Sequence, residues 1–206
     1  MDPGTGSQEH ETQFGRLDTF SDAIFAVAMT LLVFSFPLSD LPLNLGQAQI
    51  QQLVLSLAPQ FETFVISFVV VGAFWTSHHN IFDHLIRYDR LLVWINFIFL
   101  LCIVFIPFPT ALVVRYGYPI STAFYAATIS VAGLVLALLW QYASYHHRLI
   151  DRALSPRYIN ATAIRSFITP LVFLLSIPVA YVSPQLAKYM WISSFVIEWA
   201  IMRQRG

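Results

Sequence analysis

Charged residues are scarce in this sequence, and their scarcity argues against a soluble protein. They make up 11% of the 206 residues, and 57% of the residues are hydrophobic, whereas soluble domains carry roughly 25% charged residues. Cysteine occurs once, at Cys102, so no disulfide can form within one chain. Eleven basic residues balance eleven acidic ones, which leaves no overall positive charge for binding nucleic acid. The sequence also lacks the common phosphate-loop, serine-hydrolase and zinc-protease motifs.

Long apolar runs are what the sequence has instead. A helix needs about 20 apolar residues to cross a bilayer, and runs without strict alternation favour helices over barrel strands. We predict six transmembrane helices, at roughly 17–37, 50–78, 91–113, 119–145, 162–182 and 187–202. The predicted class is an all-α membrane protein, with a flexible segment at 1–14 and one six-helix transmembrane domain at 15–206.

The basic residues are distributed unevenly between the two sides that six alternating spans define. One side carries nine of them, and the other carries two, Arg115 and Lys188. An excess of basic residues marks the cytoplasmic side, so we predict that both termini are cytoplasmic. We also predict that tryptophans near the span ends lie in the interfacial belts. These are Trp140, Trp191 and Trp199.

The first predicted span carries an apolar stripe that contains one hydroxyl group. At about 100° per residue, five side chains fall on one face of the helix. They are Ala23, Val27, Thr30, Leu31 and Phe34. Ser21 and Asp22 point away from this stripe. From the pattern alone, the stripe faces lipid or a neighbouring helix, and Asp22 caps the helix start or makes a packing hydrogen bond.

Polar residues in the later spans form a second group. His78 and His79 end the second span, and Asn96 lies one turn into the third. A buried amide needs partners, so we expect His78 or His79 to hydrogen-bond Asp22 or Asn96. The histidines are too few for a membrane di-iron pattern, and we predict no metal site; a protonation switch is the alternative, because histidine titrates near neutral pH. Two further in-span carboxylates are assigned no role: Glu62 and Glu198.

Three short motifs resemble the transmembrane protein 175 family of potassium channels. The first is Arg16-x-x-x-Phe20-Ser21-Asp22, at the start of the first span. The others are Trp75-x-x-His78-His79-x-x-Phe82 and Trp94-x-Asn96 followed by Pro107-x-Pro109-Thr110. The resemblance covers most of the chain and is densest over 16–36 and 75–110. The six-span length is similar to that of prokaryotic members, which have one such unit.

The resemblance implies a homotetramer in a prokaryotic plasma membrane, with the first helices around a central pore that conducts K⁺ moderately better than Na⁺. No cofactor is implied, and no TVGYG filter is used; Gly117-Tyr118 lacks the preceding Thr-Val of that filter. The implied constriction is formed by Val27, Leu31 and Phe34, and Thr30 contributes to selectivity. The implied signature and polar network, which ties the first three spans together, comprises Arg16, Phe20, Ser21, Asp22, His78, His79 and Asn96.

Other functions remain open from the residues. A proton-coupled secondary transporter would use Asp22 and the histidines, with Pro107 and Pro178 as breaks in its helices. A proton channel is a further alternative, because the animal relative of the same family is reported to pass protons. A membrane enzyme would need a nucleophile or metal cluster facing a cavity, for which the sequence offers only the histidines.

Overall fold

The computed structural model describes residues 3–36 and 46–203, and the side chains within 15–36 and 46–193. These residues form nine α-helices and no extended strand, which confirms the predicted all-α class for the described part of the chain. The helices are α1 Pro3–Leu31, α2 Gln47–Ser56, α3 Ala58–Phe82, α4 Arg90–Phe105, α5 Pro107–Tyr116, α6 Pro119–Ser144, α7 Pro156–Ser166, α8 Ile168–Val182 and α9 Pro184–Arg203.

Five helical segments among the described residues are long and apolar enough to cross a membrane. They are Gly15–Ser35, Ala58–Phe82, Arg90–Tyr116, Pro119–His147 and Pro156–Val182. The sixth predicted span falls in α9, where the side chains of Glu198 and Trp199 lie outside the described residues, as does Pro37 at the end of the first span. The count of six and the side of each terminus therefore stay predictions. Helix α1 begins at Pro3, and the predicted mobility of 1–14 stays a prediction as well.

Prolines place several helix boundaries away from the predicted positions. The second predicted span is two helices, α2 and α3, which meet at Leu57 just before Pro59. The third breaks at Ile106, because Pro107 has no N–H to continue the helix of α4. The fifth begins earlier than predicted, since Pro156 starts α7 and the Ser155 hydroxyl accepts a hydrogen bond from the N–H of Tyr158.

Helix α6 is the centre of the protomer and packs against α4, α5 and α8. Gly133 of α6 lets Pro170 of α8 approach so closely that an added Cβ would lie 2.9 Å from the Pro170 ring. Two tryptophans predicted at the interface are instead completely buried here, so that prediction is wrong for both. Trp140 donates to the carbonyl of Ile159, and Trp191 donates to the Ser176 hydroxyl, which gives each indole N–H a partner away from water.

One end of the bundle is held together by Asp89, which lies between two spans. Its carboxylate caps α4 by accepting from the N–H of Leu92 at 2.9 Å. It also accepts from the Tyr142 hydroxyl and lies 3.2 Å from the Arg148 guanidinium. Burial raises the pKa of Asp89, but the hydrogen bonds from Tyr142 and Leu92 and the charge of Arg148 outweigh it, so the pKa lies below its ordinary value.

Candidate functional site

Helix α1 has two distinct faces. One face is buried in the protomer and consists of Ser21, Phe25 and Ala28, continued by Leu32 and Ser35 in the 3₁₀ turn that follows the helix. The other face is exposed and carries the predicted stripe: Val27 is 51% exposed, Leu31 37% and Phe34 78%. Thr30 is exposed on the same face. The described part of the protomer covers these four side chains only in part, so lipid or another copy must cover the rest.

The Thr30 hydroxyl is oriented by its own helix. Its Oγ1 lies 2.8 Å from the carbonyl oxygen of Val27 and 3.1 Å from that of Ala26. The single hydroxyl hydrogen is directed back to the backbone, so the oxygen lone pairs point away from the helix. An oxygen held in this way can accept a hydrogen bond or contact a cation.

A hydrogen-bonded chain behind α1 joins three helices. The Asn96 amide of α4 donates from Nδ2 to the Ser21 hydroxyl of α1 at 3.1 Å, and Ser21 donates to the Leu17 carbonyl. Asn96 Oδ1 lies 2.8 Å from His78 Nε2 of α3. Because this amide oxygen only accepts, His78 carries its proton on Nε2. The structure thus brings together Ser21, His78 and Asn96, all completely buried.

Phenylalanine rings enclose His78 on several sides. The ring stacks on Phe82 with centroids 4.1 Å apart and on Phe99 at 5.6 Å, and Phe25 lies 5.6 Å away. These rings belong to three different helices, so the imidazole fills a dry junction between α1, α3 and α4. The His78 side chain therefore packs in the protein interior with one side-chain hydrogen bond, to Asn96. It does not face the exposed stripe.

Asp22 makes a separate contact nearer the surface. Its carboxylate accepts from the indole N–H of Trp75 at 2.8 Å, not from a histidine. His79 stacks on Trp75 with an interplanar angle of 14°, and its Nε2 lies 3.6 Å from the Asp83 carboxylate. The sequence offered Asp22 and Asn96 as possible hydrogen-bond partners of His78 or His79. In the structure, Asn96 is bonded to His78, and Asp22 is bonded to neither histidine.

The remaining signature residues lie outside this hydrogen-bonded chain. Phe20 is 45% exposed and meets Phe97 of α4 edge to face. Arg16 is exposed, and no hydrogen bond among the described residues joins it to Ser21, His78 or Asn96. Within the described residues, no three His, Cys, Asp or Glu side chains lie close enough together to hold a metal ion.

Sequence reasoning missed a second buried polar chain, at the opposite end of α3. Lys188 of α9 donates to the Thr63 hydroxyl at 2.8 Å and is only 8% exposed. One turn further along α3, the Ser67 hydroxyl lies 3.1 Å from the hydroxyls of both Thr110 and Tyr125. The signal available in the sequence was the i, i+4 spacing of Thr63 and Ser67 inside an apolar span. Glu62, beside Thr63, is 3.2 Å from the Gln185 amide.

Comparison with known proteins identifies the family. A family model described as endosomal/lysosomal potassium channel TMEM175 matches residues 16–107. A potassium channel of Streptomyces collinus is 31% identical over 179 residues, which cover 84% of each chain. The crystal structure of a lysosomal potassium-selective channel TMEM175 homolog from Chamaesiphon minutus matches with a TM-score of 0.74 and 25% identity, over 95% of this chain and 100% of that one.

A more distant relative carries a different description. The human endosomal/lysosomal proton channel TMEM175 is 22% identical over 180 residues, which are 81% of this chain and 35% of the human one. The extent and identity of the bacterial match are decisive, and this chain belongs to the TMEM175 family. That family consists of membrane ion channels and not of enzymes.

Proposed function

We propose that this TMEM175-family chain is a potassium channel of a prokaryotic plasma membrane, with moderate selectivity for K⁺ over Na⁺ and both termini cytoplasmic. Four copies assemble around a central axis, and the exposed face of α1 lines the pore. The constriction is formed by Val27, Leu31 and Phe34. The observation that carries this proposal is the two-faced α1: one face is locked into the protomer, and the opposite face presents an uncovered stripe with one oriented hydroxyl.

The attachment of α1 supports this assignment. The Ser21–Asn96–His78 contacts and the Asp22–Trp75 contact fix the rotation of α1 about its own axis relative to α3 and α4. Because that rotation is fixed, every copy turns the same stripe outward. A closed ring of copies can then place four identical stripes around one axis.

Gating follows from the apolar character of the stripe. Water leaves a narrow hydrophobic constriction, and an ion would have to give up its hydration shell to enter. The apolar side chains offer nothing to replace that shell, so the ion is excluded. Rings of Leu31 and Phe34 side chains would therefore close the pore when the helices are near the axis. A small outward movement of α1 would widen the rings and allow water and ions to enter.

The barrier is tested by recording purified protein in planar bilayers. Leu31→Ala and Phe34→Ala enlarge the constriction, and a barrier lower by about 1.4 kcal/mol raises basal K⁺ current about tenfold. The matched control is Leu175→Ala on α8, where the wild-type leucine is 62% exposed on a helix other than the proposed pore-lining one; it should leave the current unchanged. Equal effects of all three variants would contradict a pore lined by α1.

Selectivity is tested at Thr30. Four Thr30 oxygens replace part of the hydration shell, and K⁺ gives up water more easily than Na⁺. Thr30→Ala should lower the K⁺ over Na⁺ permeability ratio, measured under bi-ionic conditions, by about two- to tenfold, which corresponds to one hydrogen bond of about 0.5–1.5 kcal/mol. Thr128→Ala on α6 is the control, because Thr128 makes the same bond to its own helix at 3.0 Å. An unchanged ratio in Thr30→Ala would remove Thr30 from the mechanism.

Proton conduction is the second candidate, and the description of the human relative favours it. Recording with a pH gradient across the bilayer and equal K⁺ concentrations on both sides distinguishes a proton channel from a potassium channel. A proton channel shifts its reversal potential with the gradient, whereas a potassium channel keeps it at zero. Gradient-driven uptake without unitary currents would instead indicate the proton-coupled transporter.

A further inference from the structure

A cavity of about 290 Å³ lies between α3, α6, α7 and α8, away from α1. Its lining extends along α3 from Val70 to Ile81, which is about 16 Å at 1.5 Å per residue. At the end near Ile81, Tyr158 of the lining stacks on His84 with ring centroids 5.1 Å apart. His84 lies just before the loop that carries Arg87, which donates a hydrogen bond to the Arg148 carbonyl. Towards the other end, the lining includes Gly133 and Pro170, where α6 and α8 approach closely. The cavity therefore runs from the arginine-rich end of the bundle towards the middle of the spans.

The chemistry of the lining changes along this length. The part towards the arginine-rich end is polar and includes Ser77, Asn80, Tyr158, Thr162 and Arg165. The part beyond it is apolar and includes Val70, Phe74, Leu136 and Pro170. Tyr158, Thr162 and Arg165 are spaced four and three residues apart, so one face of α7 supplies them all. A ligand that fits both parts has a polar head and an apolar tail.

Charge narrows the choice of head group. Among the described residues, the lining contains one guanidinium, that of Arg165, and no carboxylate. Arginine forms strong, charge-assisted hydrogen bonds to phosphate, and hydroxyl and amide groups supply further donors. Basic pockets between membrane helices at the cytoplasmic side are typical sites for anionic lipid head groups. The apolar part of the lining would not contribute to the binding of a free anion, and it therefore favours a ligand that also has an acyl chain.

We propose that this cavity binds one anionic phospholipid from the adjacent leaflet. The phosphate lies against Arg165, Tyr158 and Thr162, and the first part of one acyl chain lies along Val70, Phe74 and Leu136. The volume is at the lower end of the roughly 300–1,000 Å³ of ligand pockets, so the rest of the lipid stays in the bilayer. The ligand then has the same head-to-tail direction as the lipids around it.

Binding is measured on the full-length protein, delipidated in detergent, by native mass spectrometry and by thermal unfolding. The probes are phosphatidylglycerol, phosphatidylcholine and inorganic phosphate, added separately. Phosphatidylglycerol should give one retained adduct per subunit and raise the unfolding temperature. Phosphatidylcholine should bind about tenfold more weakly, and inorganic phosphate should give no shift. Equal protection by inorganic phosphate would overturn the proposal in favour of a free-anion site.

Three variants locate the site. Arg165→Gln should weaken phosphatidylglycerol binding about tenfold or more, because a hydrogen bond to a charged group contributes about 1.5–3 kcal/mol. Arg157→Gln is the matched control, with the same charge loss on an exposed position of α7 that does not line the cavity. Equal weakening in both variants would indicate general electrostatic attraction and overturn the site.

Ser77→Phe fills the cavity from an exposed position of α3 and keeps Arg165. It should abolish the lipid adduct while the unfolding temperature of the lipid-free protein stays near that of the wild type. Retained binding in Ser77→Phe would overturn the proposal, and so would a change of subunit number in place of lost lipid, since the cavity would then face a second copy. None of these readings depends on ion conduction.

Discussion

Helices α1 and α6 are both long and apolar, yet they have opposite positions in the protomer. Their apolar windows have similar hydropathy, but 22% of the residues are buried for α1 and 61% for α6. Helix α6 buries Tyr125, Gly133 and Trp140. In contrast, Val27 of α1 and Phe34 of the 3₁₀ turn that follows it are exposed. Hydropathy detects that a segment enters the membrane, but it does not distinguish the helix at the centre of a subunit from the helix that faces its neighbours.

The two helices also differ in how they are attached. Helix α6 is held by close packing, with Gly133 against Pro170 and with Trp140 enclosed. Helix α1 packs one face, which includes Phe25 and Ala28, against α3 and α4. Ser21 also accepts a hydrogen bond from Asn96 of α4, and Asp22 accepts one from Trp75 of α3. A helix that is packed on one face only keeps its other face free for a second task, whereas most of the α6 window is buried. Substitutions in α6 should therefore affect folding, and substitutions on the exposed face of α1 should affect conduction.

The largest expected effect is a loss of stability at Trp140. Trp140→Ala removes one of the two completely buried tryptophans among the described residues and leaves a cavity beside α6, which should lower the free energy of unfolding by about 3–5 kcal/mol. Phe34→Ala, in the 3₁₀ turn that continues α1, removes an aromatic ring that is 78% exposed and should change the free energy of unfolding by no more than about 0.5 kcal/mol. Thermal unfolding in detergent measures both changes. The signal is far-ultraviolet circular dichroism, because tryptophan fluorescence would be altered by the Trp140 substitution itself. A destabilisation of similar size in the two variants would remove the distinction between the helices.

The second effect concerns the attachment of α1. Asn96→Leu leaves the His78 Nε2 proton and the Ser21 hydroxyl without their side-chain partner in a dry junction, at a cost of about 1–3 kcal/mol. The triple variant Ser21→Ala, His78→Phe, Asn96→Leu removes all three polar groups and should recover much of the loss, because no buried group then lacks a partner. The unfolding temperatures of the single and triple variants show whether the loss comes from unpaired polar groups. A triple variant less stable than the single one would show that these side chains contribute by shape and not by hydrogen bonding.

The third effect compares two glycines. Gly133→Ala places a methyl group 2.9 Å from a proline ring that cannot rotate away, so α6 and α8 must separate, at a cost of about 1–3 kcal/mol. Gly15→Ala on α1 meets no atom within 4 Å and should be neutral or slightly stabilising, since alanine favours a helix over glycine by up to about 1 kcal/mol. Chemical denaturation of the two variants side by side measures the difference. A neutral Gly133→Ala would show that the two helices have room to adjust.

Much of the fold followed from the sequence because membrane helices obey a simple length rule. Apolar runs predicted the spans, and prolines account for the boundaries that differ, as at Pro107 and Pro156. The stripe on α1 followed from helical periodicity, and its exposure in the protomer agrees with either a pore or a lipid face. The resemblance to the family, and not the pattern, selected the pore.

Contacts between distant segments were the part that the sequence did not reveal. Trp140 and Trp191 fit an interfacial position by their place in the span, but packing around α6 buries them. The Lys188–Thr63 contact joins α9 to α3 across 125 residues, and no local pattern predicts such a pair. The sequence left Asp22 and Asn96 as alternative partners of a histidine; Asn96 binds His78, and Trp75, one turn before His79, donates to Asp22.

The smallest expected effect is at Asp89, which ties the end of α6 to the start of α4 through Tyr142 and Arg148. Asp89→Asn keeps a side chain that can cap α4 but loses the negative charge, and since the carboxylate is partly exposed, the loss should be about 0.2–1 kcal/mol. Asp89→Ala removes the cap as well and should cost roughly 1 kcal/mol more. If Asp89→Asn is as damaging as Asp89→Ala, the charge and not the cap carries the contribution.

The pH dependence of this difference has a definite sign. The folded-state pKa of Asp89 lies below its ordinary value, so its ionised form is favoured by folding and adds stability above about pH 4, the pKa expected in the unfolded chain. That contribution is lost as the pH falls from there through the lower folded-state pKa. The gap in unfolding temperature between wild type and Asp89→Asn should therefore be constant from pH 7 to about pH 5 and shrink below about pH 4. A gap that widens on acidification would mean that the protonated carboxyl is the form that joins α6 to α4, and the ion pair with Arg148 would then have no part in holding that end of the bundle.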